Sequence, residues 1–180
     1  AAGRHLRGGP GVDGDAHAGS LGTASRRLPP VSSRPRVVVL RGHQANPWEL
    51  RPWELIGERY DVAYLRSRSN WFATDDIGLP AREGRTLRDL PPGRVGDMAV
   101  RLPGDRYLGL ADALRDADIV HAQELGYWYA MQAAHLRGRL GFKLVLTVWE
   151  TLPFLGAYRN VRTRAYRRRT MAQADRFLTA

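Results

Sequence analysis

A doubly wound α/β domain, with a mostly parallel sheet and helices on both faces in a Rossmann-like arrangement, is predicted by three features of the chain. Residues 36–41, RVVVLR, form a continuous β-branched run of the kind found in strands buried on both faces. Residues 118–124, DIVHAQE, and 143–150, KLVLTVWE, are apolar runs of strand length that end abruptly in polar residues. Between these two runs, YWYAMQAAHLRGRLG reads as a crossover helix closed by Gly141. A strand–helix–strand unit implies parallel strands, which places both polar tails on one edge of the sheet. In open α/β sheets that edge, beyond the carboxyl ends of the strands, is where ligands bind.

The remaining elements follow in order. Residues 42–49, GHQANPWE, break the first strand, and 52–60 carry helical spacing in Trp53, Ile56 and Tyr60. Residues 61–66, DVAYLR, read as a second strand. The stretch 67–96 is polar and rich in Gly, Pro and Arg, with a short strand expected at 86–90. DMAVRL, 97–102, alternates enough to predict another strand, and Asp105 is placed to cap a helix over 106–115. An Arg-rich helix is expected over 159–176, with Tyr158, Val161, Ala165 and Ala172 near one face, then a last strand at 176–179. Alternation of strands and helices makes the doubly wound architecture the reading that fits best.

Composition bounds the rest. A chain of 180 residues suits one domain with a sizeable core plus a tail. Residues 1–35 are rich in Gly, Ala, Ser, Pro and Arg, show no periodic apolar pattern, and read as a disordered tail before a domain over 36–180. That tail has no apolar h-region of a secretory signal. The end at ADRFLTA is an apolar strand-like segment with nothing to cover it, so the expectation is a domain truncated at its C-terminus. With no cysteine there is no disulfide framework, thiolate metal site or Cys nucleophile. No apolar run approaches the roughly 18 residues of a membrane span. The expected location is the cytoplasm, peripheral to the inner face of the membrane.

The net charge of +10 comes almost wholly from Arg, with Lys143 the sole lysine. The excess gathers in the tail and over 159–176, where Arg162, Arg167, Arg168 and Arg169 offer a stripe for anionic lipid heads or, failing that, a solvated face. No nucleic-acid motif accompanies it, so nucleic acid is not the expected partner.

Four turns converge on the carboxyl edge. The first lacks G-x-G-x-x-G and G-x-x-x-x-G-K-[ST], which argues against a dinucleotide or a triphosphate loop, and no G-x-S-x-G elbow occurs. No metal site is expected, since neither a carboxylate cluster nor a His pair at ligand spacing is present. What remains is hydrogen-bonding and stacking chemistry from His43, Gln44, Asn46, His121, Gln123, Glu124 and Glu150, with Trp48, Tyr127, Trp128 and Trp149. On this edge His121, Trp149 and Glu150 are the candidates for catalysis, and His43, Gln44, Gln123, Glu124 and Tyr127, beside Gly42 of the first turn, those for binding. Amides, imidazoles and carboxylates beside flat aromatic faces suit polyhydroxylated ligands such as sugars. Each has a plainer reading. His121 follows Val120 on a buried strand and reads equally well as a core histidine. Gln123 and Glu124 read also as caps of the next helix, and Trp48 and Trp53 as packing residues.

Taken together, RVVVLRG, DADIVHAQE, KLVLTVWETLPF, the Arg-rich helix and ADRFLTA resemble the amino-terminal domain of family 4 glycosyltransferases, over residues 36–180. The resemblance implies one half of a two-domain GT-B fold and a retaining, metal-independent enzyme with no cofactor. That half binds a saccharide or lipid-linked acceptor, while the other half binds most of the nucleotide-sugar. His121 and Glu124 fit the family's H-x-H-[ED] strand end, with Gln123 where a second His is common. Trp149 stands where many members carry a His. Only Gly42 remains of the glycine pair usual after the first strand. The resemblance also implies transfer through an oxocarbenium-like state, in which positioning matters more than a nucleophile. The competing expectation is a non-enzymatic α/β ligand-binding or regulatory module.

Overall fold

The computed structural model describes residues 34–90, 94–100, 104–149 and 161–179. Seven strands form one sheet: β1 (Arg36–Gly42), β2 (Asp61–Ser67), β3 (Ala81–Thr86), β4 (Tyr107–Leu108), β5 (Ile119–Gln123), β6 (Lys143–Val148) and β7 (Arg176–Thr179). Their order is β4-β3-β2-β1-β5-β6-β7, parallel throughout except for the antiparallel β3–β4 pair. The helices are α1 (Pro47–Glu54), α2 (Arg94–Ala99), α3 (Leu110–Ala113), α4 (Trp128–Leu140) and α5 (Val161–Gln173). This is an α/β, Rossmann-like sheet, and its order reverses between β1 and β5, the place where such sheets bind ligands.

The β-branched run of β1 is buried on both faces because two separate cores use it alternately. Val37 and Val39 pack with Val62, Tyr64 and Leu50 on the side of α1. Val38 and Leu40 pack with Val120, Leu144, Leu114, Ala130 and Ala133 on the side of α3 and α4. Small residues on α4 let it lie close to the sheet, and Gly141, at φ +82, ends it in the left-handed conformation that glycine adopts without strain. At the amino edge of the sheet, Asp175 accepts two hydrogen bonds from Arg137 at 2.7 and 2.6 Å and one from the Leu144 N–H, tying α4 and β6 to the entry of β7.

Several local expectations are corrected. The first helix begins at Pro47, not at 52, because Asn46 accepts from the Glu49 N–H as its N-cap and Pro47 has no N–H to satisfy. The strand expected at 86–90 lies instead over Ala81–Thr86, followed by a 3-10 turn over Leu87–Asp89. Of DMAVRL, residues 97–99 fall on α2 and Val100 in the turn after it, with 101–103 outside the described residues; Met98 is exposed. Most of the helix expected over 106–115 is replaced by β4 and the one-turn α3. Gly109, at φ +75, breaks the chain there, and Asp105 bonds elsewhere. On α5 the buried residues among those described are Tyr166 and Thr170 rather than Val161, Ala165 and Ala172, which are exposed; Tyr158 lies outside the described residues. Of the expected tail, residues 1–33 lie outside the described residues. Arg34 donates to the Gly57 carbonyl, and the Pro35 carbonyl accepts from the Asp61 N–H, so these two belong to the domain's edge.

Candidate functional site

The turn after β1 is built around Gly42. Its φ is +65, and a Cβ there would meet the Tyr129 ring at 2.7 Å, so both backbone and packing require glycine. The chain then carries His43 and Gln44 over the carboxyl edge. The Tyr127 hydroxyl donates to Gln44 Oε1 at 2.8 Å, and its ring stacks on Tyr129 at 5.1 Å, joining this turn to the start of α4. The loop after β2 is tied to the same turn. Asn70 accepts from the Ala45 N–H and donates to the Ala45 carbonyl, at 3.0 and 2.8 Å, and the Trp71 N–H donates to the His43 carbonyl.

Beneath these turns lies a cavity of about 210 Å³, lined by Gly42, His43, Arg88, Asp105, Tyr107 and Tyr127 among others. It is smaller than the roughly 300–1,000 Å³ of pockets for drug-sized ligands, a size for one ring rather than for a dinucleotide. His43 Nδ1 is 3.1 Å from Asp105 Oδ2, and Arg88 Nε is 3.6 Å from the same oxygen. Burial pushes the Asp105 carboxyl up. The hydrogen bonds of His43 and Thr86 and the charges of His43 and Arg88 outweigh that and leave it below its ordinary range. The cavity therefore holds a fixed carboxylate, an imidazole, a guanidinium and the four phenols of Tyr107, Tyr127, Tyr129 and Tyr166. Among the described residues no group of three or more His, Asp or Glu is arranged to hold a metal ion.

The residues expected at the ends of β5 and β6 are distributed differently. His121 is 2% exposed on the α1 face, its ring 4.5 Å from that of Trp53 and its Nε2 at 2.7 Å from Thr147 Oγ1. Burial, with a smaller contribution from Arg41, lowers its pKa to about 3, so the ring is neutral. It is a core histidine and does not line the cavity. Gln123 is buried beside Thr147 in the β5–β6 register. Glu124 adopts φ +61, a left-handed conformation sparse for any residue but glycine, and its Oε1 accepts from the Trp149 N–H at 2.9 Å. Burial raises its pKa, and its Oε2 has no hydrogen-bond partner. Trp149 is 51% exposed at the end of β6. Glu150 lies outside the described residues. The structure thus brings Gly42, His43 and Tyr127 to the cavity and Gln44 against Tyr127, and holds Glu124 against the backbone of Trp149.

Arg41 was not among the expected site residues. Its side chain is 3% exposed, pairs with Glu49, and leaves Nε and Nη1 without hydrogen-bond partners. Burial lowers its pKa, against the pull of Tyr129, Tyr127 and Glu124. The signal in the sequence is an arginine ending a β-branched run directly before Gly42. Asp105 was expected only as a helix cap.

On α5, Arg164, Arg168 and Arg169 are exposed and Arg167 is half-buried; the Arg162 side chain lies outside the described residues. No described helix is long and apolar enough to cross a membrane.

No protein-family model and no curated protein matches the chain. Among solved structures, a protein of unknown function from Vibrio parahaemolyticus is similar to it over 82% of this chain and 94% of that one, with 11% identity and a TM-score of 0.42.

Proposed function

We propose that this chain is the acceptor-binding half of a retaining glycosyltransferase of the GT-B type, moving a sugar from a nucleotide-sugar to a saccharide or lipid-linked acceptor. The observation that carries the reading is the cavity at the carboxyl edge, where His43 and Tyr127, singled out by residue chemistry, meet Gly42 around one ring-sized space. Its lining pairs flat aromatic faces with hydrogen-bonding groups of both kinds, the combination that suits a ring bearing several hydroxyls. With no glycine cradle for a pyrophosphate in the turn after β1, the nucleotide-sugar falls to another domain. Its place is the cytosol, with the exposed Arg164, Arg168 and Arg169 of α5 against anionic lipid. The test is saturation-transfer NMR on the purified chain with simple methyl glycosides and with UDP-glucose and GDP-mannose. Transfer to at least one glycoside, and little to either nucleotide-sugar, is expected. Tight binding of a nucleotide-sugar with no response from any glycoside would overturn the division of roles.

A further inference from the structure

We propose that His43 and Asp105 form a proton-accepting dyad in the cavity, with His43 Nε2 the atom that takes a proton from a ligand hydroxyl and Asp105 its positioning residue. The dyad stands on its own geometry; that the hydroxyl belongs to a sugar rests on the function proposed above. A carboxylate facing Nδ1 can only accept a hydrogen bond, so neutral His43 carries its proton on Nδ1 and its lone pair on Nε2. Among the described residues nothing hydrogen-bonds to Nε2. The carboxylate is held ionised by the groups that face it, His43, Thr86 and Arg88.

The imidazole is also held in place. Its edge meets the Trp71 ring at 4.4 Å, its backbone carbonyl accepts from the Trp71 N–H at 2.9 Å, and the preceding and following loops are joined through Asn70. A ring fixed from one side by an aromatic and from another by a carboxylate keeps its remaining nitrogen in one direction, which is the preorganisation general-base catalysis needs. In the proposed transfer, the acceptor O–H bond breaks and its proton goes to Nε2 as the oxygen bonds the anomeric carbon of the nucleotide-sugar on the same face that the diphosphate leaves, which retains the configuration. The bond from that carbon to the diphosphate breaks, the diphosphate leaves with the electron pair, and the proton passes from His43 to solvent.

The alternative is a strut that merely joins the β1 turn to the loop before β4, and a strut has no need of a reactive nitrogen. Diethyl pyrocarbonate separates the two. The imidazole lone pair attacks its carbonyl, an N–C bond forms and ethyl carbonate leaves. With the folded chain at about pH 8, where ordinary imidazole is neutral, carbethoxylation is followed residue by residue by mass spectrometry. His43 is expected to react several-fold faster than the exposed His135, although it is far less open to solvent. Asp105→Asn is expected to slow His43 several-fold and leave His135 unchanged, with Asp105→Glu restoring part of the rate and serving as the second variant if Asp105→Asn does not fold. A His43 no faster than His135, or one indifferent to Asp105, refutes the dyad. If His43 behaves as expected and no methyl glycoside protects it, the dyad stands and the saccharide reading fails.

Discussion

His121 makes the stability of this domain depend on pH in a way that can be worked out. The ring is neutral in the folded chain, with its pKa lowered to about 3, whereas in the unfolded chain it titrates near 6.5. Between these values the unfolded state binds the extra proton, so stability is complete above about pH 6.5 and falls as the pH drops toward 3. From pH 7 to pH 5 the unfolded histidine goes from mostly neutral to almost wholly charged while the folded one stays neutral. The linked loss is about 2 kcal/mol, a sizeable part of the roughly 5–15 kcal/mol that holds a domain together. His121→Gln removes the titration and keeps a group able to bond Thr147 Oγ1. Urea denaturation of both proteins at pH 7, 6 and 5 checks this, with tryptophan emission as the signal because Trp53 lies on the His121 ring. Wild type should lose about 2 kcal/mol more than the variant over that range. Parallel curves for the two would mean that His121 reaches solvent or holds its charge when folded, and the core placement would be wrong.

Gly42→Ala should destabilise the domain by about 2 kcal/mol or more, since it combines a left-handed backbone with a methyl group pressed into the Tyr129 ring; denaturant midpoints measure it. Glu49→Gln leaves the buried Arg41 guanidinium without its counter-charge, and thermal denaturation should show a loss near the lower end of the about 3–5 kcal/mol seen when one member of a buried pair is removed. The Asp175 carboxyl is held far below its ordinary range, chiefly by Arg137. Its contribution is therefore present above about pH 3.9 and lost as the pH falls further, and Asp175→Asn should flatten the acid limb of the stability profile below that value.

The long elements were legible in the sequence because burial on both faces demands uninterrupted apolar runs. β1, β5 and β6 have them, and α4 ends at a glycine that the left-handed conformation requires. The short elements between 81 and 113 were not. DMAVRL alternates as a strand would, yet 97–99 lie on a helix, since six residues are too few for a period to decide; two residues of β4 carry no period at all. Within the site, Gly42, His43 and Tyr127 were legible from their position after strand ends. Asp105 was not, because its partner His43 is distant in the chain, a contact with no local spacing. Arg41 was hidden in a strand, where an arginine ordinarily reads as an exposed end rather than as a buried pair with Glu49. His121 shows the reverse: its chemistry attracted a catalytic reading, and its burial against Trp53 and Thr147 gives it a packing place.

The proposed function requires that a saccharide bind in the cavity beside His43. Titration of the isotope-labelled chain with methyl α-D-glucopyranoside, methyl α-D-mannopyranoside and methyl β-D-galactopyranoside, followed by amide NMR shifts, tests it most directly. Saturable shifts centred on Gly42, His43, Asp105 and Tyr127 are expected for at least one glycoside, lost in Tyr127→Ala, with the amides of β7 unmoved. Saturable shifts centred away from these residues, or none with any of the three at millimolar concentration, would contradict it.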